Sequence, residues 1–234
     1  MTGRPATLVV VVGTGTEVGK TWVSARLLRA WRARGLAVAA RKPAQSFAPG
    51  DATTDADVLG AASGEDPRAV CLPQRWYPAP MAPPMAADAL GRVPPALADL
   101  LGELAWPRPA PDVGLVETAG GARSPQADDG DAVDLVAALG PDRVVLVADA
   151  GLGTINGVRL SVGALAAGTS APVSVVLNRF DAADGLHERN RDWLARRCAL
   201  DVTAVGAEGA GVSPPGAPAL DVLAARLARP GGGG

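Results

Sequence analysis

The apolar pattern opens with an unbroken aliphatic run. Leu8 to Val12 are a leucine and four valines with no polar position between them. A strand with one wet face alternates, whereas a continuous β-branched run predicts a strand covered on both faces. The run stops at Gly13. Over residues 21–34 the apolar positions Val23, Leu27, Leu28 and Trp31 recur at helical spacing between arginines, and Gly35 falls just past the helix end.

The same alternation of types continues along the chain. Leu36 to Ala40 predicts a second buried strand, ended by Arg41-Lys42-Pro43. Residues 44–54 read as loop, and Thr54 or Asp55 caps a helix running on through Ala56-Asp57-Val58-Leu59. The proline-rich stretch 73–87, which carries Met81 and Met85, predicts an irregular, semi-rigid pocket wall. Residues 94–105 predict a helix. Asp112 to Glu117 predicts a strong strand that runs into Thr118-Ala119-Gly120-Gly121. Arg123 to Asp131 predicts a polar, moving loop. Val144 to Asp149 is the next strand, followed by the turn Gly151 to Asn156 and a helix to about Gly168. Val173 to Leu177 is a further strand, ending in Asn178-Arg179. A surface helix over 186–197, a strand from Val202 to Val205, a helix over 219–228 and a flexible tail from Gly231 to Gly234 complete the reading. Strands alternating with helices predict an α/β fold with a doubly wound, mostly parallel sheet and helices on both faces. With no linker and no repeat, residues 1–230 read as a single domain.

Composition narrows the function. Of 234 residues, 48% are hydrophobic, enough for a substantial core, and the net charge of -2 comes without a basic stripe. Nucleic acid is therefore not expected as a partner. No apolar run approaches the ~18 residues of a membrane span, so no membrane association is expected. The first strand follows the N-terminus closely, leaving no room for a targeting segment. Cys71 and Cys198 stand far apart and read as reduced thiols of a cytoplasmic protein. His187 is the only histidine, which leaves little room for a histidine-based metal site or triad.

The candidate chemistry sits at strand ends. Gly13-Thr14-Gly15-Thr16-Glu17-Val18-Gly19-Lys20-Thr21 follows the first strand and opens a helix. A glycine-rich loop in that context lets backbone N–H groups approach phosphate oxygens, with the helix N-terminus adding its positive end. Lys20 reaches the outer phosphates, and the Thr21 hydroxyl can bind Mg²⁺. Five residues separate Gly13 from Gly19, one more than the common pattern. Lys42 falls at the carboxyl end of a strand, where ligands bind in open α/β sheets; alone it also reads as a solvated lysine. Glu117 ends its strand where an acidic residue faces the metal in phosphate-loop proteins; it also reads as a cap on a glycine turn, and Asp55 as a helix cap.

Taken in order, these pieces resemble the dethiobiotin synthetase family, a P-loop NTPase type. The matching residues are Gly13 to Thr21, Lys42-Pro43 with Ser46, Asp55-Ala56, Pro80-Met81-Ala82-Pro83, Val116-Glu117 with Ala119-Gly120-Gly121, Gly151 to Asn156, and Asn178. The longer loop is the family's own spacing. The resemblance implies an ATP- and Mg²⁺-dependent ligase that takes 7,8-diaminononanoate and CO₂ to a cyclic urea. It passes through a carbamate and a carbamic–phosphoric anhydride. It implies Lys42 and Lys20 as catalytic cations, and Gly15, Thr16, Glu17, Val18, Gly19, Lys20, Thr21 and Asn178 around the nucleotide. Thr16, Lys42, Ser46, Gly151, Leu152, Gly153, Thr154 and Asn156 would bind substrate, the last five at a homodimer interface. Thr21, Asp55 and Glu117 would hold the metal.

Some positions depart from the family pattern. Gly15 stands where many members carry Asp, Thr118 replaces a glycine, Pro84 and Gly157 stand where histidine is common, and Arg123-Ser124-Pro125 replaces an aliphatic continuation. A related ATP-dependent carboxylating or cyclising ligase for another amine, or a partitioning-type ATPase, is the alternative; Thr14 to Val18 lack the early lysine expected of the latter.

Overall fold

The computed structural model describes residues 3–206 and 219–228. Ten strands and nine helices are assigned there. The tail Gly231 to Gly234 lies outside the described residues.

The aliphatic run forms β1 (Thr7–Gly13), buried along its whole length. It lies inside a six-stranded parallel sheet. On one side stand β5 (Val113–Gly121) and then β2 (Val38–Arg41). On the other stand β8 (Arg143–Asp149), β9 (Val173–Asn178) and β10 (Asp201–Ala204). Covering both faces takes two apolar layers, and β1 serves both by alternation. Val9 and Val11 pack toward α1 (Lys20–Ala33), α2 (Asp55–Ser63) and α9 (Ala219–Leu227). Leu8, Val10 and Val12 pack toward α6 (Ala132–Leu139), α7 (Thr154–Gly168) and α8 (Gly185–Arg197). Trp31 of α1 is fully buried and donates its indole N–H to the Ala224 carbonyl at 2.8 Å, fastening α9 to α1.

Parity places the acid. Val113 and Leu115 face the α1 layer and Val116 faces the other, so Glu117, two residues beyond Leu115, emerges under α1. Gly114 lets other parts close on β5: a Cβ there would lie 2.3 Å from Pro5 and 2.7 Å from Trp106.

The structure corrects several expectations. The second strand starts at Val38 rather than Leu36. The stretch 73–87 is more regular than its prolines suggest. Pro73–Arg75 makes a 3₁₀ turn, β4 (Trp76–Tyr77) pairs with β3 (Gln45–Ser46), and α4 (Pro83–Ala89) starts on Pro83-Pro84. Proline in a first helical turn loses no hydrogen bond, so the pair starts the helix instead of breaking it. Arg123 to Asp131 is a tied hairpin, β6 (Pro125–Ala127) against β7 (Gly130–Asp131), not a free loop. Gln126 clamps it by accepting from the Ala119 N–H at 2.9 Å and donating to the Ala119 carbonyl at 2.8 Å. Helix α6 was absent from the sequence reading. Its signal is the capping box Asp131…Asp134 ahead of an apolar run. Helix α3 (Pro67–Val70) was not expected either, whereas α5 (Leu97–Glu103) falls within the expected helix over 94–105.

Gly114→Ala is expected to destabilise the fold by about 1–3 kcal/mol, through overpacking against Pro5 and Trp106. Urea denaturation, read as a lower midpoint at unchanged slope, checks this.

Candidate active site

The carboxyl ends of β1, β2 and β5 meet around one cavity of about 810 Å³. Its floor is the loop between β1 and α1. Gly19 is held at φ 91°, and a Cβ there would lie 2.1 Å from Asn178 Nδ2, so this step of the loop admits only glycine. The Asn178 amide, buried at the end of β9, donates to the Val18 carbonyl at 3.0 Å and braces the loop from below. Lys20 is buried and folds back to the Gly15 carbonyl at 3.0 Å.

Beside the loop sits a compact ionic cluster. Lys42 follows β2 and is 3% exposed; Glu117 is fully buried. The Lys42 ammonium lies 2.6 Å from Asp55 Oδ2 and 2.7 Å from Glu117 Oε1. The Thr21 hydroxyl lies 2.8 Å from both Asp55 Oδ1 and Glu117 Oε1. Ser24, one turn along α1, donates to Glu117 Oε2 at 2.6 Å. Asp55 reaches the cluster because Thr54, not Asp55, caps α2, in a capping box with Asp57. The sequence reading missed Ser24; its spacing of three from Thr21 on one helix face was the available signal.

Charges in this cluster shift one another. Burial pushes Lys20 down to about 8, with Lys42 adding repulsion and Glu117 and Asp55 opposing. Burial also works against the Lys42 ammonium, but Asp55 and Glu117 outweigh it and hold its pKa above the ordinary lysine value. Desolvation would raise Asp55, yet Lys42 and the Thr21 hydrogen bond hold it below the usual carboxylate range. Burial pushes the Cys71 thiol up to about 12, which leaves it an inert packing group.

Thr21, Asp55 and Glu117 offer three hard oxygens, the Thr21 hydroxyl lying within hydrogen-bond distance of each carboxylate. The single Thr21 proton cannot serve both carboxylates at once, so the donor set is richer in acceptors than its own protons can satisfy. That chemistry fits Mg²⁺, which takes one or two carboxylates and completes its shell with water and phosphate. No group of three or more His, Cys, Asp or Glu suited to a metal is found among the described residues.

Thr16, Glu17, Gly19, Lys20, Thr21, Lys42, Ser46 and Asp55 all line the cavity. Gly15 and Val18 belong to its loop without lining it. The Ser46 hydroxyl is buried without a hydrogen-bond partner. Phe47, Met81 and Pro83 add an apolar wall. Gly151, Leu152, Gly153, Thr154 and Asn156 do not line the cavity of their own chain. Leu152 there is 92% exposed, and the buried Thr154 hydroxyl has no partner.

The Lys20 shift has a consequence for stability. Its folded pKa lies below the unfolded value of 10.5, so between about pH 8 and 10.5 the unfolded chain holds more protons and Lys20's contribution to stability rises with pH. Lys42, held above its unfolded value, begins to lose its contribution only above that window. Relative to Lys20→Met, the wild type is expected to gain stability from about pH 8 toward pH 10, measured by urea denaturation across that range.

Comparisons with known proteins show the family and the fold. A family described as an AAA domain matches residues 7–207. The ATP-dependent dethiobiotin synthetase BioD of an Anaeromyxobacter species is 43% identical over 178 residues, covering 74% of this chain and 77% of the relative. That of Rhodococcus jostii is 38% identical over 207 residues, covering 87% of each. That of Haloferax mediterranei is 40% identical over 181 residues, covering 77% of this chain and 75% of the relative. Among solved structures, a plasmid partition protein of Borrelia burgdorferi bound to AMPPNP overlays with a TM-score of 0.59 at 11% identity, covering 96% of this chain and 98% of that one. The signal recognition particle receptor FtsY of Elizabethkingia anophelis gives a TM-score of 0.51 at 14% identity, covering 97% of this chain and 66% of that one. These two speak for the fold alone, a parallel α/β sheet with helices on both faces. The close relatives carry the finer assignment: the chain belongs to the ATP-dependent dethiobiotin synthetase family.

Proposed function

We propose that this protein joins CO₂ to 7,8-diaminononanoate and closes the ring to dethiobiotin, converting ATP to ADP and phosphate. One observation carries the reading. Lys42, a buried ammonium clamped between Asp55 and Glu117, shares a cavity with the phosphate loop and with the unpartnered Ser46 hydroxyl.

The chemistry asks for cations around anions. One substrate amine adds to CO₂ and loses a proton, giving a carbamate. A carbamate oxygen then bonds to the γ-phosphorus as ADP leaves. The second amine attacks the carbamate carbon, expels phosphate and closes the cyclic urea. Two negatively charged partners must approach in the middle step, and fixed positive charge lowers that barrier. Lys20 serves the outer phosphates. Lys42 serves the carbamate and the phosphoryl group in transfer, and its carboxylate partners keep it charged at any working pH. Thr21, Asp55 and Glu117 would hold Mg²⁺, which supplies charge against the phosphate oxygens. Ser46 and Thr16 orient the diamine, and Asn178, outside the cavity lining, serves the nucleotide through the loop it braces at Val18.

The turn Gly151 to Asn156 supports a homodimer. Its exposed Leu152 precedes α7 and its unpartnered Thr154 hydroxyl sits on the first residue of that helix, whose N-terminus favours an anion. In the dimer this turn from one copy receives the substrate carboxylate in the other copy's cavity. No helix among the described residues is long and apolar enough to cross a membrane; we assign the enzyme to the cytoplasm.

Phosphate release from Mg·ATP and bicarbonate is expected to depend on the diamine, with a cyclic urea detected by mass; release indifferent to the diamine would refute this substrate. Lys42→Ala is expected to lower turnover by about 10² or more while ATP affinity changes less. Unaltered turnover in steady-state assays would remove Lys42 from the reaction. Glu117→Gln is expected to raise the Mg²⁺ concentration needed for half-maximal rate, checked by a metal titration.

A further inference from the structure

Arg179 directly follows Asn178 and bridges two parts of the site. Its guanidinium donates to the Glu17 carbonyl at 2.7 Å through Nη2 and pairs with Asp149 Oδ2 at 3.0 Å through Nη1. Both joined residues carry side chains in left-handed backbone, Glu17 at φ 60° and Arg179 at φ 54°. A residue other than glycine holds that conformation when its surroundings impose it. Asp149 continues the line, its Oδ1 accepting from the Gly151 N–H at 2.9 Å. Asn190, buried on α8, grips the same turn from the other side, donating to the carbonyls of Ala150 and Gly151 at 2.9 and 3.0 Å.

The value of this bridge is not the ion pair. Arg179 and Asp149 are 51% and 49% exposed, and such pairs contribute little to stability. What the fork does is fix a carbonyl. A loop that binds phosphate must turn its N–H groups toward the ligand and its carbonyl oxygens away. Held by Arg179, the Glu17 carbonyl is kept from swinging toward the phosphates. The guanidinium reaches the carbonyl and Asp149 with two separate nitrogens in a fixed fork, a preorganisation that the flexible lysine stem lacks.

We infer that Arg179 is a positioning residue for nucleotide binding, setting the phosphate loop at Glu17 and tying it through Asp149 to the turn at Gly151. The phosphate loop and that turn then move as one unit. Filling of the nucleotide site therefore reaches the turn assigned above to the diamine carboxylate. This last step rests on the proposed reaction; the positioning of the loop does not.

Calorimetric titration with Mg·ADP of the wild type, Arg179→Ala, Arg179→Lys, Asp149→Ala and the double alanine variant tests it, with melting temperatures recorded in parallel. Arg179→Ala is expected to weaken ADP by about tenfold, the effect of losing one charge-assisted hydrogen bond, with Arg179→Lys between it and the wild type. The double variant is expected to match Arg179→Ala within about twofold, because the two side chains act as a unit. ADP affinity within about twofold of wild type in Arg179→Ala would overturn the positioning role, whatever the melting temperature does. A double variant weakened by the product of the single effects would overturn the tie to Asp149. Wild type that binds no Mg·ADP would overturn both this inference and the proposed reaction. Tight wild-type ADP binding without diamine-dependent turnover would refute only the reaction.

Discussion

The site depends on one buried ammonium held between two carboxylates. Lys42 is almost sealed from solvent, and Asp55 and Glu117 touch it at 2.6 and 2.7 Å. Removing the Lys42 and Glu117 charges from water is expensive, and the arrangement is tolerable because the ammonium serves both carboxylates and hydroxyls add further donors. The Thr21 hydroxyl lies within reach of both carboxylates, its one proton serving one of them at a time, and Ser24 donates to the remaining oxygen of Glu117. These five residues come from β5, the end of β2, and the first turns of α1 and α2. The fold's main task at this end is therefore to bring three strand–helix junctions to one point. Parallel order with β1 beside β5, and β5 beside β2, does so.

Much of this was legible in sequence because the signals were local and strong. An apolar run with no polar interruption has one reading, and the glycine loop with Lys20-Thr21 behind it has nearly one. Lys42 and Asp55 could be placed at a strand and a helix end, and Glu117 was expected to end its strand, which in fact runs on to Gly121; their contact could not be read, since one across 75 residues between Lys42 and Glu117 leaves no local trace. Elements set by tertiary clamps were misread. The Arg123 to Asp131 stretch is polar and glycine-containing, so it read as free. Gln126 pins it to Ala119, and an Arg123–Asp131 pair at 2.9 Å closes its base. The stretch 73–87 read as irregular because prolines at a helix start, such as Pro83 and Pro84, look like those of a loop until the helix is placed.

The departures from the family pattern become tractable once placed. Thr118 is fully buried and, by the parity of β5, points away from Glu117; its hydroxyl sits 3.4 Å from the Val11 carbonyl. Pro84 is buried in the first turn of α4. Arg123 is exposed and paired with Asp131. Gly157 lies against Thr14, where a Cβ would make an ordinary contact at 3.6 Å. Of the departing side chains, Ser124 lines the cavity. Most of the divergence is thus absorbed by packing and the hairpin, and the cationic and acidic groups of the site keep their places.

Fold likeness alone could not have assigned this activity. A partition protein overlays nearly the whole chain at 11% identity, because a parallel sheet with a phosphate loop suits any reaction that begins by gripping a nucleotide. What separates such proteins is what lines the cavity beside the phosphate loop. Here the lining holds Lys42 at the acidic cluster, Ser46 with a buried hydroxyl to offer, and apolar Phe47 and Met81. A fixed cation, one free hydroxyl and a greasy flank suit a small aliphatic substrate carrying a transient negative charge. A protein surface that only senses nucleotide state has no need to bury a lysine there. The cost of burying Lys42 between Asp55 and Glu117 makes sense where charge moves during a reaction, because fixed charge in a water-poor site acts most strongly on charge that appears in the transition state.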